Sequence, residues 1–206
     1  MATPPGTVLR PMTPDDVPRA SQLLADAFAD YAWTRWTVAA DDHAHRLREL
    51  YSTFLTAVAL PYGVVDGADT LDAGLGAVAV WTRAGAVPDT VRERVGAVAV
   101  ELTGDRAAAA EAADTALAPK RPAIPHVSLD ALGVDPRLQG RGLGSALLRA
   151  GLRAVDRAGL PAYLETSEPG NVRLYERHGF VVTGVVDLEG GGPRTWSMLR
   201  APASVS

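Results

Sequence analysis

Leu132-Gly133-Val134-Asp135-Pro136 and, after Arg137-Leu138, Gln139-Gly140-Arg141-Gly142-Leu143-Gly144 carry a strand into a helix. The strand spans Val127–Val134, and Pro136 turns the chain. From Leu143 to Ala158, Leu143, Ala146, Leu147, Ala150, Ala154 and Val155 recur on one helical face, with Arg149, Arg153, Asp156 and Arg157 opposite. Gly159 is placed to stop that helix. Between the two elements, glycines let backbone N–H groups approach a ligand closely, and a helix N-terminus adds unpaired donors and a positive dipole end. The combination is an anion cradle suited to a pyrophosphate, with Arg137 and Arg141 at its rim. A P-loop needs Gly-Lys-Ser/Thr, and no lysine stands here. A dinucleotide loop needs GxGxxG in an early βαβ unit, whereas these glycines run GxGxG two-thirds along the chain. Taken alone, the loop is also compatible with a tight turn that binds nothing.

Working outward, Ala162–Thr166 reads as a strand, Asn171–His178 as a short helix closed by Gly179, and Val181–Val186 and Thr195–Leu199 as strands. On the N-terminal side Val8–Arg10 is a short strand. Thr13-Pro14-Asp15-Asp16 is a helix start, followed by Leu23, Leu24, Ala27 and Phe28 at helical spacing. Asp41 to Ala57 forms a second amphipathic helix. Gly63–Val65 and Gly74–Trp81 are strand-like, with Asp66–Asp72 as the turn between them. Residues 84–118 are an Ala-rich helical insert broken at Gly104, and Pro119, Pro122 and Pro125 form a stiff connector. The order predicts an α/β domain with a mixed sheet over residues 7–200, with flexible tails at 1–6 and 201–206.

A chain of 206 residues with 47% hydrophobic and 21% charged residues can bury one proper core. A net charge of −4 argues against a nucleic-acid partner. The chain has no cysteine, which excludes disulfides and thiolate chemistry, and its four scattered histidines form no metal pattern. No metal cofactor is expected. Residues 1–6 do not resemble a secretory signal, and no apolar run approaches the ~18 residues of a membrane span. The expectation is a cytoplasmic protein, monomer or homodimer, without membrane partners.

Two motifs together narrow the cradle's guest. Leu132-Gly133-Val134-Asp135-Pro136 with Gln139-Gly140-Arg141-Gly142-Leu143-Gly144 resembles motif A of the GCN5-related N-acetyltransferases (GNAT), and Asn171 with Leu174-Tyr175-Glu176-Arg177-His178-Gly179-Phe180 resembles their motif B. The resemblance implies a mostly antiparallel sheet flanked by helices, in which the strand before the loop splays from its neighbour. It also implies acetyl-CoA as co-substrate. The pantetheine arm would lie along Leu132, Gly133 and Val134, the pyrophosphate at Gln139, Gly140, Arg141, Gly142, Leu143 and Gly144, and Asn171 would bond the arm. Further stretches, among them Ala27-Phe28-Ala29-Asp30-Tyr31, Leu164-Glu165-Thr166-Ser167 and Gly192-Pro193-Arg194-Thr195-Trp196, resemble the puromycin-acetylating branch, which implies a small aromatic or aminonucleoside-like amine as acceptor. Residues 67–75 and 84–116 depart from that branch and are expected to line the acceptor side.

Acetyl transfer to an amine needs a neutral nucleophile, a polarised thioester carbonyl and a proton for the thiolate. Tyr175 matches the family's general acid. A phenol near pKa 10 faces a thiol near 8.5, a mismatch of ~2 kcal/mol. The backbone N–H of Val134 would polarise the carbonyl. Glu165 is the candidate general base, acting directly or through water, with a loop-orienting carboxylate as the other reading. Tyr31, Trp36 and Trp81, with Trp33, are candidates for an aromatic acceptor pocket. Two other readings remain open: a peptide N-terminus as acceptor, and a non-catalytic acyl-CoA sensor.

Overall fold

A computed structural model describes residues 3–203. A seven-stranded sheet of order β1-β2-β3-β4-β5-β7-β6 forms its centre. The strands are β1 (Thr7–Pro11), β2 (Gly63–Thr70), β3 (Gly74–Arg83), β4 (Val127–Val134), β5 (Ala162–Thr166), β6 (Val181–Asp187) and β7 (Arg194–Arg200). All neighbours pair antiparallel except β4 and β5. The helices are α1 (Val17–Phe28), α2 (Ala32–Thr37), α3 (His43–Phe54), the single turn α4 (Leu60–Tyr62), α5 (Asp89–Thr103), α6 (Ala107–Leu117), α7 (Leu143–Arg157) and α8 (Pro169–Glu176).

β3 is an inner strand of the sheet, and its period-two alternation sorts the two cores. Val78 and Val80 face α1 and α3 together with Leu24, Leu55 and Ala131. Ala77, Ala79 and Trp81 face α7 together with Leu129, Leu147, Leu164 and Met198. The indole of Trp81, 3% exposed, lies against Gly151 of α7, where an added Cβ would stand 2.4 Å from the ring. Gly151→Ala, which in an open helix would stabilise, is therefore expected to cost about 1–3 kcal/mol by overpacking. A fall in thermal midpoint checks it; a rise would mean that the indole yields freely.

Three local expectations need correction. Asp66–Asp72 is not a turn: β2 continues to Thr70 and only Leu71–Ala73 turn. Its polar residues are accommodated because β1 pairs alongside, and Asp69 receives Arg10 Nε at 2.6 Å. The helix placed at Asp41–Ala57 starts at His43 and runs on through a π-turn, Leu55–Ala59, into α4. The widened turn precedes Pro61, which lacks an N–H and would crowd the carbonyl four residues back in a regular helix. The α2 helix was not anticipated. The flexible tails expected at 1–6 and 201–206 lie partly outside the described residues; within them, Leu71 N–H donates to Gly6 O (3.2 Å) and Ala203 N–H to Asp156 Oδ1 (2.9 Å). No helix among the described residues is long and apolar enough to cross a membrane.

Candidate active site

β4 and β5 pair only at Val127↔Ala162 and Ser128↔Tyr163, then part. A bulge opens the gap. The register of β4 against β3 shifts between Trp81↔Leu129 and Val80↔Ala131, leaving Asp130 as an extra, unpaired residue, and such a bulge bends a strand and re-aims its side chain. Beyond it Leu132, Gly133 and Val134 still pair with β3, but their other edge faces no strand. That edge is a template for an amide-bearing chain.

The glycine loop follows. Asp135 caps the turn Pro136–Leu138 by accepting from Arg137 N–H at 2.9 Å, and it also holds the Arg137 guanidinium in two contacts of 3.0 and 2.7 Å. Arg137 is paired with Asp135 while its side chain stays 80% exposed. Gly140 (φ 75°) and Gly142 (φ 85°) occupy the left-handed region that disfavours side chains. The first bond within α7 is Ala146 N–H to Gly142 O, so the preceding amides have no helical acceptor. Gln139 Nε2 returns to Val134 O at 3.4 Å. A groove of 610 Å³ runs over Gln139, Gly140, Gly142, Leu143 and Gly144 to Arg177 and His178 of the α8 end. Unpaired amides, an open glycine surface and the free β4 edge fit a pyrophosphate with an amide arm.

Between the parted strands lies a 260 Å³ cleft. Tyr175, Asn171, Tyr31, Glu165, Asp130 and Leu132 all reach it. Tyr175 is 8% exposed and edge-on to Phe180, ring centroids 5.7 Å apart. Burial, with a smaller contribution from Tyr31, raises its pKa above the ordinary phenol range, so it carries its proton at any working pH. Asn171 sits in the first turn of α8 and donates to Thr166 Oγ1 at 3.3 Å; the helix cap is Glu168, which accepts from Gly170 N–H. Tyr31 is fixed from two sides: its hydroxyl accepts from Ser167 N–H at 2.5 Å and stands 3.1 Å from Thr166 Oγ1.

The cleft opens into a cavity of 730 Å³ between α2, α3, the α5–α6 insert and the start of β4 and β5. Trp33, Tyr51, Asp130 and Glu165 line both spaces. Val95 and Ala99 of α5 and Ala110 of α6, both in the insert, wall the cavity, whereas nothing from residues 67–75 reaches it. Trp81 is in the α7-side core, and Trp36 donates to Gly190 O (3.4 Å) in a separate groove beside α6. The aromatic residues the fold brings to the cavity are Trp33, Tyr51, Phe54 and Tyr163.

Two carboxylates stand at the floor, in different states. Glu165 Oε1 accepts the Tyr163 hydroxyl at 2.7 Å and Arg121 Nε at 3.1 Å, and Arg121 also reaches Asp114 Oδ1 of α6 at 2.7 Å. Asp130 is exposed onto the cavity, with protein walls around it. Loss of solvation, with a smaller push from Glu165, raises its carboxyl from 3.8 to about 7, against hydrogen bonds from Thr82 that favour its ionised form. Sequence reading missed Asp130, because its orientation depends on the bulge. His126 Nδ1 faces Ile124 O at 2.7 Å, and its ring sits edge-on to Tyr163. Among the described residues no cluster of His, Cys, Asp or Glu is arranged to hold a metal.

A free strand edge, a glycine loop at a helix start and a proton-bearing tyrosine in the cleft between them come together in one region of the fold. The profile of the acetyltransferase (GNAT) family matches residues 72–180, just over half of the chain. This protein belongs to that family. Among solved structures, a histone acetyltransferase HPA2 and related acetyltransferase from Corynebacterium glutamicum is 28% identical, with a TM-score of 0.74, over 98% of this chain and 99% of that one. PaiA N-acetyltransferase from Thermoplasma acidophilum, solved with coenzyme A, shares the fold at 13% identity (TM-score 0.57; 95% and 98% covered). Among curated proteins, the mycothiol acetyltransferase of Nocardiopsis dassonvillei is 50% identical over 54 residues, 25% of this chain, and that of Salinispora arenicola 46% over 66 residues, 30% of this chain. The matches span only 16% and 22% of those relatives' lengths. The resemblance to the puromycin-acetylating branch is not carried by these relatives.

Proposed function

We propose that the protein acetylates the primary amine of a small, largely apolar molecule, with Asp130 taking the amine proton and Tyr175 protonating the leaving thiolate. The supporting observation is placement: Asp130 and Tyr175 line one cleft, the glycine loop lies beyond its β4 edge, and the apolar cavity opens from its other end. Acetyl-CoA supplies an activated thioester carbonyl. The free edge of Leu132, Gly133 and Val134 holds the arm, and the Val134 N–H is the candidate donor to the carbonyl oxygen. Asp130, with its carboxyl near 7, is matched to an amine of pKa near 8, so proton transfer between them costs little. Glu165, held by Arg121 and Tyr163, orients the floor rather than serving as the base first expected of it.

Puromycin remains a compound to assay under this reading, and mycothiol chemistry is not carried over on matches covering 25–30% of the chain. The insert contributes Val95, Ala99 and Ala110 to the cavity wall, which fits a small apolar acceptor better than a protein terminus. The test is thiol release from acetyl-CoA with a panel of apolar primary amines that includes puromycin. Amine-dependent release is expected. Coenzyme binding without release for any amine would leave a sensor.

A further inference from the structure

The cavity's charges sort its occupants. The upper walls are apolar: Trp33, Leu47, Leu50, Tyr51, Phe54 and Val95. Every ionised group lies on the floor, and the sole arginine or lysine among the described lining residues is Arg121. That guanidinium is already shared between two carboxylates, Asp114 at 2.7 Å and Glu165 at 3.1 Å. The trio carries a net negative charge, and Asp130 adds another acidic group on the same floor. The remaining nitrogen ring there, His126, is turned to a backbone carbonyl through Nδ1.

We infer that the acceptor is a primary amine on an apolar or aromatic body that carries no free carboxylate: arylalkylamines and aminoacyl amides or esters are acetylated, and free α-amino acids are refused. The inference rests on reading this cavity as the acceptor site. In an α-amino acid the carboxylate is attached one carbon from the amine. An amine delivered to Asp130 therefore brings its carboxylate among Asp130 and Glu165, with no uncommitted cation to receive it. The same charges that draw an ammonium group in push a carboxylate out. At ~6 Å and an effective dielectric near 20, one such repulsion corresponds to about a 100-fold loss of affinity. Blocking the carboxyl as an amide or ester removes the repulsion while keeping the ring for the apolar wall.

The test uses three probes that share one ring: phenylalanine, phenylalaninamide and 2-phenylethylamine. Each is titrated by calorimetry into the full-length protein saturated with coenzyme A, and each is assayed for thiol release with acetyl-CoA. The amide and the phenylethylamine are expected to bind, and to show kcat/KM, at least ~30-fold better than the free acid. Glu165→Gln keeps hydrogen-bonding atoms for Tyr163 and Arg121 but frees the arginine's charge, so the amide-to-acid ratio should fall at least ~5-fold. Equal binding of acid and amide overturns the inference, and so does an unchanged ratio in Glu165→Gln or no binding of any probe at millimolar concentration. A binding preference without thiol release upholds the selectivity and removes the acetyltransfer reading, so the two failures are separable.

Discussion

Tyr175→Phe is expected to lower kcat about 100-fold while acetyl-CoA affinity stays within about twofold. The variant keeps the ring, so the edge-on contact with Phe180 survives and only the hydroxyl is lost. Burial keeps that hydroxyl protonated, which suits a donor. It also widens the gap to an ordinary thiol beyond the ~2 kcal/mol estimated for exposed groups. The gap that matters is the one inside the cleft, where the departing sulfur loses solvent too and its own pKa rises. Under the proposed function, Tyr175 would donate late, as charge accumulates on sulfur. Steady-state kinetics paired with calorimetric acetyl-CoA binding checks this. An unchanged kcat would remove the hydroxyl from the chemistry, whereas a matched loss of coenzyme affinity would give it a binding role.

Asp130→Asn should cost about 100-fold in kcat/KM and abolish the rise of kcat/KM with pH through about 7. It should also leave a signature in stability. From pH 4 to 7 the unfolded chain has lost the Asp130 proton while the folded protein holds it. The folded state thus binds more protons, and this group's contribution to stability falls as pH rises across that window. The cost is fully present above about 7 and absent below about 4. The Asn variant should therefore melt higher than the parent near pH 8 and alike near pH 4. Glu165, Arg121, Tyr163 and His126 share the floor, so the kinetic limb must be tested in Glu165→Gln as well, where it should persist. A variant that melts lower at pH 8, or keeps the limb, would assign the proton transfer elsewhere.

Elements from Val127 onward could be read from the sequence because each carries its own period and its own stop. β4 and β5 have the bounds expected, and α7 differs by its last residue. Elements whose identity depends on a neighbour could not be read. β2 looks like a turn until β1 supplies pairing for its polar stretch. The α2 helix is six residues long, too short for a period, and Thr34 anchors it by bonding Phe28 O and Tyr31 O. The site divides in the same way. The glycine loop, Asn171 and Tyr175 lie in short contiguous motifs, so the resemblance to a known family could point to them. The cavity proposed for the acceptor is assembled from α2, α3, α5, α6 and two strands, and spacing says nothing about which tryptophan faces it. Trp36 and Trp81 went elsewhere because one packs on the β6–β7 turn and the other on Gly151. Asp130 was hidden by the same logic: a one-residue bulge reverses the face that simple alternation would assign.

The parted strands have one more consequence. A sheet with an unpaired inner edge is an unfinished structure, and under the proposed function the amide arm of acetyl-CoA would supply the missing strand. Whatever occupies the gap between β4 and β5 binds the folded chain and not the unfolded one. The enzyme's resistance to heat is then a property of the coenzyme pool as much as of the polypeptide. It should gain about 2.7 kcal/mol when the coenzyme stands at 100 times its dissociation constant.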